Sequence, residues 1–303
     1  MTENQLQGKQ TVVDDNLREV KAHGTEGFPI GIYLDDFSDF ENGYICWHWH
    51  EEVQATMIIE GDFLYQLEGK EIKMGPGDII FINSGLLHQI RPCEREKGKL
   101  YSFIWRAELL GAKGTDIYKE CVAPLLKHKF HYVYWKQEEA DCQKVADCLK
   151  EAEMLYETKA DFYPLKIQQQ IGNFWLALHQ KIEKEQIEES EENAGNDKDA
   201  SRVKAAMQYI YEHYHENVKL DEIAQAAFVS RSELCRSFKR TVQTSPMEFL
   251  MQFRIRQATV LLKKMDLRIA DVAEMVGFCS PSHFGSNFVK YMGCTPKEYR
   301  GLK

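Results

Sequence analysis

The chain has 303 residues, of which 44% are hydrophobic and 28% charged, and a formal net charge of -9. This is the composition of a globular protein of about two domains, and it excludes collagen-like, disordered and disulfide-scaffold classes. No run of about 18 apolar residues occurs, so no membrane-spanning helix is expected and a membrane is excluded as a partner.

The charge is unevenly spread. Residues 198–303 carry 17 basic against 11 acidic residues, or +6, which leaves -15 for the rest. A positive module on an acidic body suits a polyanionic partner for that module alone. The eight cysteines stand at 46, 93, 121, 142, 148, 235, 279 and 294 without a CxxC pair. Zinc-finger spacing is therefore absent, and buried thiols in a reducing cytoplasm are the expectation. Cys142 and Cys148 are six apart on a predicted helix, which puts them on different faces and argues against a redox pair.

The first ten residues, MTENQLQGKQ, lack the apolar core of a signal peptide, which points to a cytoplasmic location. Residues 1–27 are polar and without periodicity and read as a mobile N-terminal arm. From 28 to 111 short β-like runs are broken by Gly, Asn and Pro, for example ICWHWH, ATMIIEG and DIIFIN. Strands of five to seven residues at this spacing predict a sandwich or small barrel.

Within this region His48-x-His50 is followed by Gln54, then Gly61, Pro76-Gly77-Asp78 and His88. Strand alternation puts Cys46, His48 and His50 on one face and Trp47 and Trp49 on the other. The pattern resembles the two signature motifs of the cupin β-barrel family, in which His-x-His, a Glu and a later His bind a metal. Here the Glu position holds Gln54, a neutral and poor ligand, so His48, His50 and His88 are weak metal candidates and no cofactor is expected. His48, His50, Gln54, Tyr65, His88 and Trp105 read instead as the lining of an effector pocket, with Phe103 as a further aromatic wall. Such a pocket suits a small polar molecule, and carbohydrate-responsive regulators are what the resemblance implies. Some of these histidines alternatively serve only as satisfied polar groups of the core or rim.

From about 112 to 185 the pattern turns helical. Val145, Leu149, Ala152, Leu155 and Tyr156 form one stripe, and Ile167, Ile171, Phe174, Leu178 and Ile182 a second. Pro164 suits the first turn of the second helix. The pair predicts an αα-hairpin whose stripes cover the β domain, join a second subunit, or both; a homodimer is expected. Residues 186–199 are acidic and nearly free of apolar groups and read as a solvated linker.

Residues 200–303 carry one helix-turn-helix pattern twice. Ile223, Ala224 and Ala227 supply the packing face of a short helix. Ser230 then caps the next one, with Glu233 completing a capping box and Leu234 and Phe238 facing inward. The outer face carries Arg231, Ser232, Cys235, Arg236, Lys239 and Arg240. In the second copy Val272, Ala273 and Val276 play the packing part, Gly277 turns the chain, Ser280 caps, and Pro281 takes the tolerated first position. Phe284 and Phe288 repeat Leu234 and Phe238 at an offset of 50, as Pro296 repeats Pro246. Residues 246–264 read as one longer helix between the copies.

Ile223-Ala224, Phe228-x-Ser230, Arg236-x-Phe238-Lys239, Ser245-Pro246, Arg254-Ile255, Gly277-Phe278, Gly293-x-Thr295-Pro296 and Tyr299-Arg300 resemble the signature of the AraC/XylS family of bacterial transcription regulators. The resemblance implies DNA-reading positions at Ser232, Cys235 and Arg236 in the first copy and Pro281, Ser282, Gly285 and Ser286 in the second. The second copy departs from it: Ser286 and Val289 stand opposite Arg236 and Lys239, and only Lys290 survives opposite Arg240. Gln243 also replaces a Gly that Gly293 keeps.

The expected fold is α+β and multidomain: a cupin-like β-barrel with a helical hairpin, then an all-α module with two helix-turn-helix motifs. The expected function is a ligand-responsive, sequence-specific regulator that binds double-stranded DNA, activator being one role, with RNA polymerase as a further partner. A metal-dependent cupin enzyme carrying a DNA-binding tail is the alternative.

Overall fold

The computed structural model describes residues 13–14, 17–40, 43–67, 69–94, 97–127, 131–185, 193–264 and 267–301. The start of the arm and linker residues 186–192 lie outside them. The chain divides into two compact units, one made mainly of residues up to Asn193 and one made mainly of Ala194–Lys303.

The first unit is built on two antiparallel sheets. Its strands are β1 (Ile30–Asp36), β2 (Ile45–His48), β3 (Val53–Glu60), β4 (Phe63–Leu67), β5 (Lys70–Met74), β6 (Ile79–Ile82), β7 (His88–Pro92), β8 (Lys99–Trp105) and β9 (Tyr132–Trp135). One sheet has the order β1-β8-β3-β6-β9 and the other β2-β7-β4-β5. Strand β9 falls in the stretch that the sequence reads as helical. Its Tyr-Val-Tyr-Trp run is all aromatic or β-branched, the composition that fits a pleated surface.

The five-stranded sheet has two faces of different use, and the side-chain period of two assigns each residue to one of them. Val53↔Trp105, Ala55↔Phe103, Ile32↔Phe103 and Phe81↔Val133 are cross-strand pairs of the outer face. That face is covered by α2 (Cys142–Thr158) and α3 (Tyr163–Lys184), which follow a short α1 (Ala123–Lys127). Val145, Leu149, Ala152, Ile167, Ile171, Phe174 and Leu178 join Phe81, Phe103, Trp105 and Trp135 in one core cluster. Phe174 meets Phe81, Trp105 and Trp135 with ring centroids 5.8–6.1 Å apart. The hairpin stripes thus cover the sheet. What α3 and its approach leave exposed are Phe162, Leu165 and Leu176.

Residues 18–27 lie along this unit. Glu19 donates its N–H to Trp49 O at 2.9 Å, Arg18 bridges Trp49, and His23 is buried. Sequence periodicity is blind to this docking, because polar Glu and His side chains anchor the segment and no apolar stripe does.

The second unit is all helix: α4 (Asn193–His213), α5 (Leu220–Ala226), α6 (Arg231–Val242), α7 (Pro246–Lys264), α8 (Ile269–Met275), α9 (Pro281–Met292) and α10 (Pro296–Gly301). Helix α4 starts inside the stretch read as linker. Its apolar stripe begins at Ala200, followed by Val203, Met207 and Ile210, and the backbone ladder propagates to residues ahead of it at little cost. Helix α7 packs on both helix-turn-helix pairs, α5–α6 and α8–α9. Its buried Arg254 donates to Tyr214 O at 2.7 Å and Glu216 O at 2.6 Å, satisfying carbonyls of the turn that follows α4.

Candidate nucleic-acid interface and effector cavity

Each recognition helix is twelve residues long and starts on a serine cap. Ser230 Oγ accepts from Glu233 N at 3.2 Å, and Ser280 Oγ accepts from His283 N at 3.2 Å. The reciprocal half of the expected capping box is not what Glu233 makes; its carboxylate meets Arg202 Nη2 at 2.8 Å. Leu234 and Phe238 are fully buried in α6, as Phe284 and Phe288 are in α9. The outward residues follow from the 3.6 period: Arg231, Ser232, Arg236, Lys239 and Arg240 are exposed on α6, with Cys235 half-buried among them. On α9 Pro281, Ser282, Ser286, Val289 and Lys290 are exposed and Gly285 is half-buried. Sequence reasoning missed His283, which is exposed in the first turn of α9 beside the Phe278 ring.

The two turns differ by one residue. In the first copy Phe228 takes the left-handed position at φ 55°, and Ser230 caps two residues on. In the second Gly277 takes it at φ 83°, and Ser280 caps three residues on. The offset between copies is therefore 49 before the turn (Ile223/Val272) and 50 after it (Leu234/Phe284). Gly277 is required twice over, because a Cβ there would stand 2.5 Å from Tyr214 O.

Several of the basic groups are already engaged. Arg231 clasps both carboxylate oxygens of Asp221. Arg240 meets the buried Asp199 at 2.6 Å, and Asp199 also accepts from Ser237 Oγ at 2.6 Å. Lys290 meets Glu248 at 2.8 Å. Asp199 lies on α4 and Glu248 on α7, so each copy ties the last turn of its recognition helix to the long helix before it. Ser286 Oγ donates to Ser282 O at 3.0 Å, within its own helix. Arg236 enters no ion pair or side-chain hydrogen bond among the described residues.

In the first unit, the inner face of the five-stranded sheet lines a cavity of about 280 Å³. The walls include Tyr33 and Asp35 from β1, Gln54 and Thr56 from β3, and Leu100, Ser102 and Ile104 from β8. These are register neighbours: Tyr33↔Ser102 and Thr56↔Ser102 run across one line of the sheet. Tyr65, Ile45, Ile90 and His48 close the far side, and Glu19, Lys21 and His23 come from the docked segment. The Lys21 ammonium stands 3.4 Å over the Tyr33 ring, close enough for a cation–π contact. Burial raises the Tyr65 hydroxyl and pushes Tyr33 up to about 12, so both stay protonated as donors.

Of the six residues expected to line an effector pocket, His48, Gln54 and Tyr65 reach this cavity. Trp105 does not. It shares the outer face of β8 with Tyr101 and Phe103 and is buried in the core beneath α3, as Phe103 is. The even-numbered residues of that strand face the cavity. The sequence did not signal Glu19, Asp35 or Lys21, because they are distant in the chain and lie on no shared motif.

His48, His50 and His88 are all buried, and one ligand nitrogen from each lies within 4.8 Å of the others. Each Nδ1 sits at 2.8–2.9 Å from a backbone carbonyl, of Cys46, Glu52 and Leu86 respectively. A ring that donates from Nδ1 carries its lone pair on Nε2, and this outer hydrogen bond is the usual way a ligating imidazole is oriented. Burial pushes His48 down to about 4, with Glu19 opposing, so it is neutral at physiological pH. His50 differs, since Gln54 Oε1, an acceptor, lies 3.0 Å from its Nε2, while the Gln54 amide nitrogen donates to Thr56 Oγ1 at 2.9 Å and Tyr65 OH at 3.4 Å. Three buried imidazoles, each held at Nδ1, fit a divalent transition metal such as the cupin fold implies, once Gln54 Oε1 turns aside from His50 Nε2. His48, His50 and His88 would hold it, and it would supply a Lewis-acidic position beside the cavity.

The geometry is that of a two-part regulator. A helix-turn-helix domain model matches residues 223–301, and a cupin domain model matches residues 41–104. An uncharacterized HTH-type transcriptional regulator of Bacillus subtilis (strain 168), YdeC, is 30% identical over 97% of this chain and 99% of its own. The lactose operon transcription activator of Staphylococcus xylosus is 22% identical over 80% of this chain and 82% of its own. The melibiose operon regulatory protein of Escherichia coli (strain K12) is 22% identical over 84% and 83%. The chain belongs to the AraC/XylS family of transcription regulators. It is a DNA-binding regulator and not an enzyme. Among the described residues no helix is long and apolar enough to cross a membrane.

Proposed function

We propose that the chain is a cytoplasmic, ligand-responsive regulator whose first helix-turn-helix supplies most of the affinity for DNA. The observation that carries the second half is the uneven outer face. Arg236 is exposed on α6 where α9 carries Ser286, whose hydroxyl is turned onto its own helix. An Arg in a major groove can take guanine O6 and N7 together, and a serine so engaged has little to offer. Arg231, Lys239 and Arg240 on α6 and Lys290 on α9 then serve mainly as phosphate-facing charge and struts. Ser232, Cys235, Pro281, Ser282 and Gly285 give close, small-residue approach to the bases.

For the effector, the cavity offers carboxylates (Glu19, Asp35), an amide (Gln54) and hydroxyls (Thr56, Tyr65, Ser102) between apolar walls (Ile45, Ile90, Ile104). Alternating acceptors and donors over aliphatic patches suit a polyol, and two relatives are named for lactose and melibiose operons. We read the ligand as a sugar. It shifts the regulator only by binding one arrangement of the chain better than another.

The exposed Leu165 and Leu176 are eleven residues apart on α3, three turns on one stripe, and with Phe162 they are the face for a second copy. Such a homodimer would bring four recognition helices to paired half-sites, with RNA polymerase recruited beside them.

Mapping protected DNA across the genome tests the DNA half. Recurrent sites that Arg236→Ala abolishes support it, and binding without sequence preference overturns it. Thermal shifts against a sugar panel test the effector half. A hit that Asp35→Asn removes supports it, and no shift with any sugar argues for a barrel that only dimerises.

A further inference from the structure

We infer that Glu19, from outside the barrel strands, supplies the carboxylate that Gln54 lacks, so that His48, His50, His88 and Glu19 together bind one divalent transition metal ion of the zinc class. The ion would then hold the segment 18–23 on the barrel.

The Glu19 side chain is only 10% exposed. A carboxylate removed from water needs a cation, a metal or a full set of hydrogen bonds. The described partners of this one are imidazoles: His23 Nε2 at 3.3 Å and His48 Nε2 at 4.0 Å. His23 is in turn fixed through Nδ1 to the Tyr33 hydroxyl at 3.2 Å. The carboxylate is thus propped from one side by His23 and faces the histidine cluster on the other.

Distance permits a shared ion. Ligand atoms bound at about 2.0–2.2 Å to one metal can be at most about 4.4 Å apart. The Glu19–His48 pair already satisfies that limit at 4.0 Å; Glu19 stands outside the 4.8 Å group of the three histidines, so its carboxylate has to swing towards His50 and His88 when the ion binds. The three imidazole nitrogens, within 4.8 Å of one another, need to close by about half an ångström at most.

Chemistry favours the same set. Three imidazoles and one carboxylate form an N/O site that suits zinc and its neighbours, and His50 joins it by exchanging its Nε2 contact with Gln54 Oε1 for the metal. Gln54, a neutral amide, adds no charge at the register where a cupin motif carries Glu. The three histidines are on β2, on the loop after it and on β7. Glu19 precedes the first strand. A metal so bound cross-links that segment to the barrel, and the segment forms one wall of the cavity. Metal occupancy and the shape of the cavity are therefore coupled. That coupling holds whether or not the effector is a sugar.

The test uses the full chain, stripped with chelator and titrated with Zn²⁺, and with Co²⁺ for its visible spectrum. One equivalent of metal is expected, with His88→Ala abolishing binding. Glu19→Gln, which keeps the shape, should weaken it about 10–100-fold and change the Co²⁺ spectrum, and Glu19→Asp should recover part of the loss. Metal should protect the wild-type chain from trypsin after Arg18 and Lys21, and give no such protection to Glu19→Gln. The metal-free Glu19→Gln and wild-type chains should melt alike, which separates a lost ligand from a lost fold. Absence of stoichiometric binding overturns the proposal. So does retained binding in His88→Ala, or a Glu19→Gln chain that matches wild type in affinity, spectrum and protection.

Discussion

The two helix-turn-helix copies share a skeleton and differ in what they spend it on. Both bury one apolar ridge, Leu234 and Phe238 in one and Phe284 and Phe288 in the other. Both cap the recognition helix on serine, and both tie its last turn to the preceding long helix through an acid–base pair. The differences lie in the turn and on the outer face. Fold is thus carried by the inner residues and the struts, and the outward residues outside the struts, Arg236 and Ser286 among them, are free to diverge.

The turn gives the largest test of that comparison. Gly277→Ala puts a methyl 2.5 Å from Tyr214 O at a left-handed backbone position. The clash and the strain together should cost about 3 kcal/mol or more. Phe228→Ala, at the equivalent position of the first copy, should change stability little, because the side chain is 94% exposed and both residues carry a Cβ. Urea denaturation of both variants checks this, and equal losses would break the distinction.

The outer faces give the next effect. Arg236→Ala should lose about 1–3 kcal/mol of operator binding, or about tenfold to a hundredfold, against a small change for Ser286→Ala. Binding titrations at one fixed salt concentration decide it. Equal losses in the two variants would end the reading that the first copy dominates.

The struts should separate by burial. Asp199 is buried and receives both Arg240 and the Ser237 hydroxyl. Asp199→Ala removes a charge-assisted hydrogen-bond network and should cost about 2 kcal/mol of module stability. The Glu248–Lys290 pair is exposed, so Glu248→Gln should change stability little, as surface ion pairs do. Thermal melts with and without added salt distinguish them: only the exposed pair should fade with salt.

Legibility followed the range of the interactions. Helix α7 appears in the sequence with the ends it has in the structure, since caps and 3.6-residue stripes are local signals. The β unit was legible as a class, and its histidine cluster from one short motif and a later residue. Which side of a strand faces the cavity was not. Strand β8 alternates Leu100, Ser102 and Ile104 with Tyr101, Phe103 and Trp105, and both sets are mostly apolar. Only the cross-strand partners reveal that the set with Ser102 faces inward and that Trp105 belongs to the core under α3. Glu19 was hidden for the same reason at longer range: it meets His48 across 29 positions of chain, with no periodic pattern to mark the docking.

The smallest predicted effect returns to the turn. Phe228 holds φ 55°, a conformation that disfavours a side chain by roughly 1–2 kcal/mol relative to glycine. Gly277 shows that glycine serves the same bend in the other copy. Phe228→Gly should therefore relieve strain, with part of the gain offset by the extra freedom of glycine in the unfolded chain. A net stabilisation of up to about 1 kcal/mol is expected, read as a raised urea midpoint with an unchanged slope. Unaltered operator affinity in that variant would make the exposed ring dispensable for DNA. A loss of affinity beside a gain in stability would instead show that the first copy keeps a strained aromatic at its turn for contact with the duplex, a functional asymmetry to set beside Arg236 and Ser286.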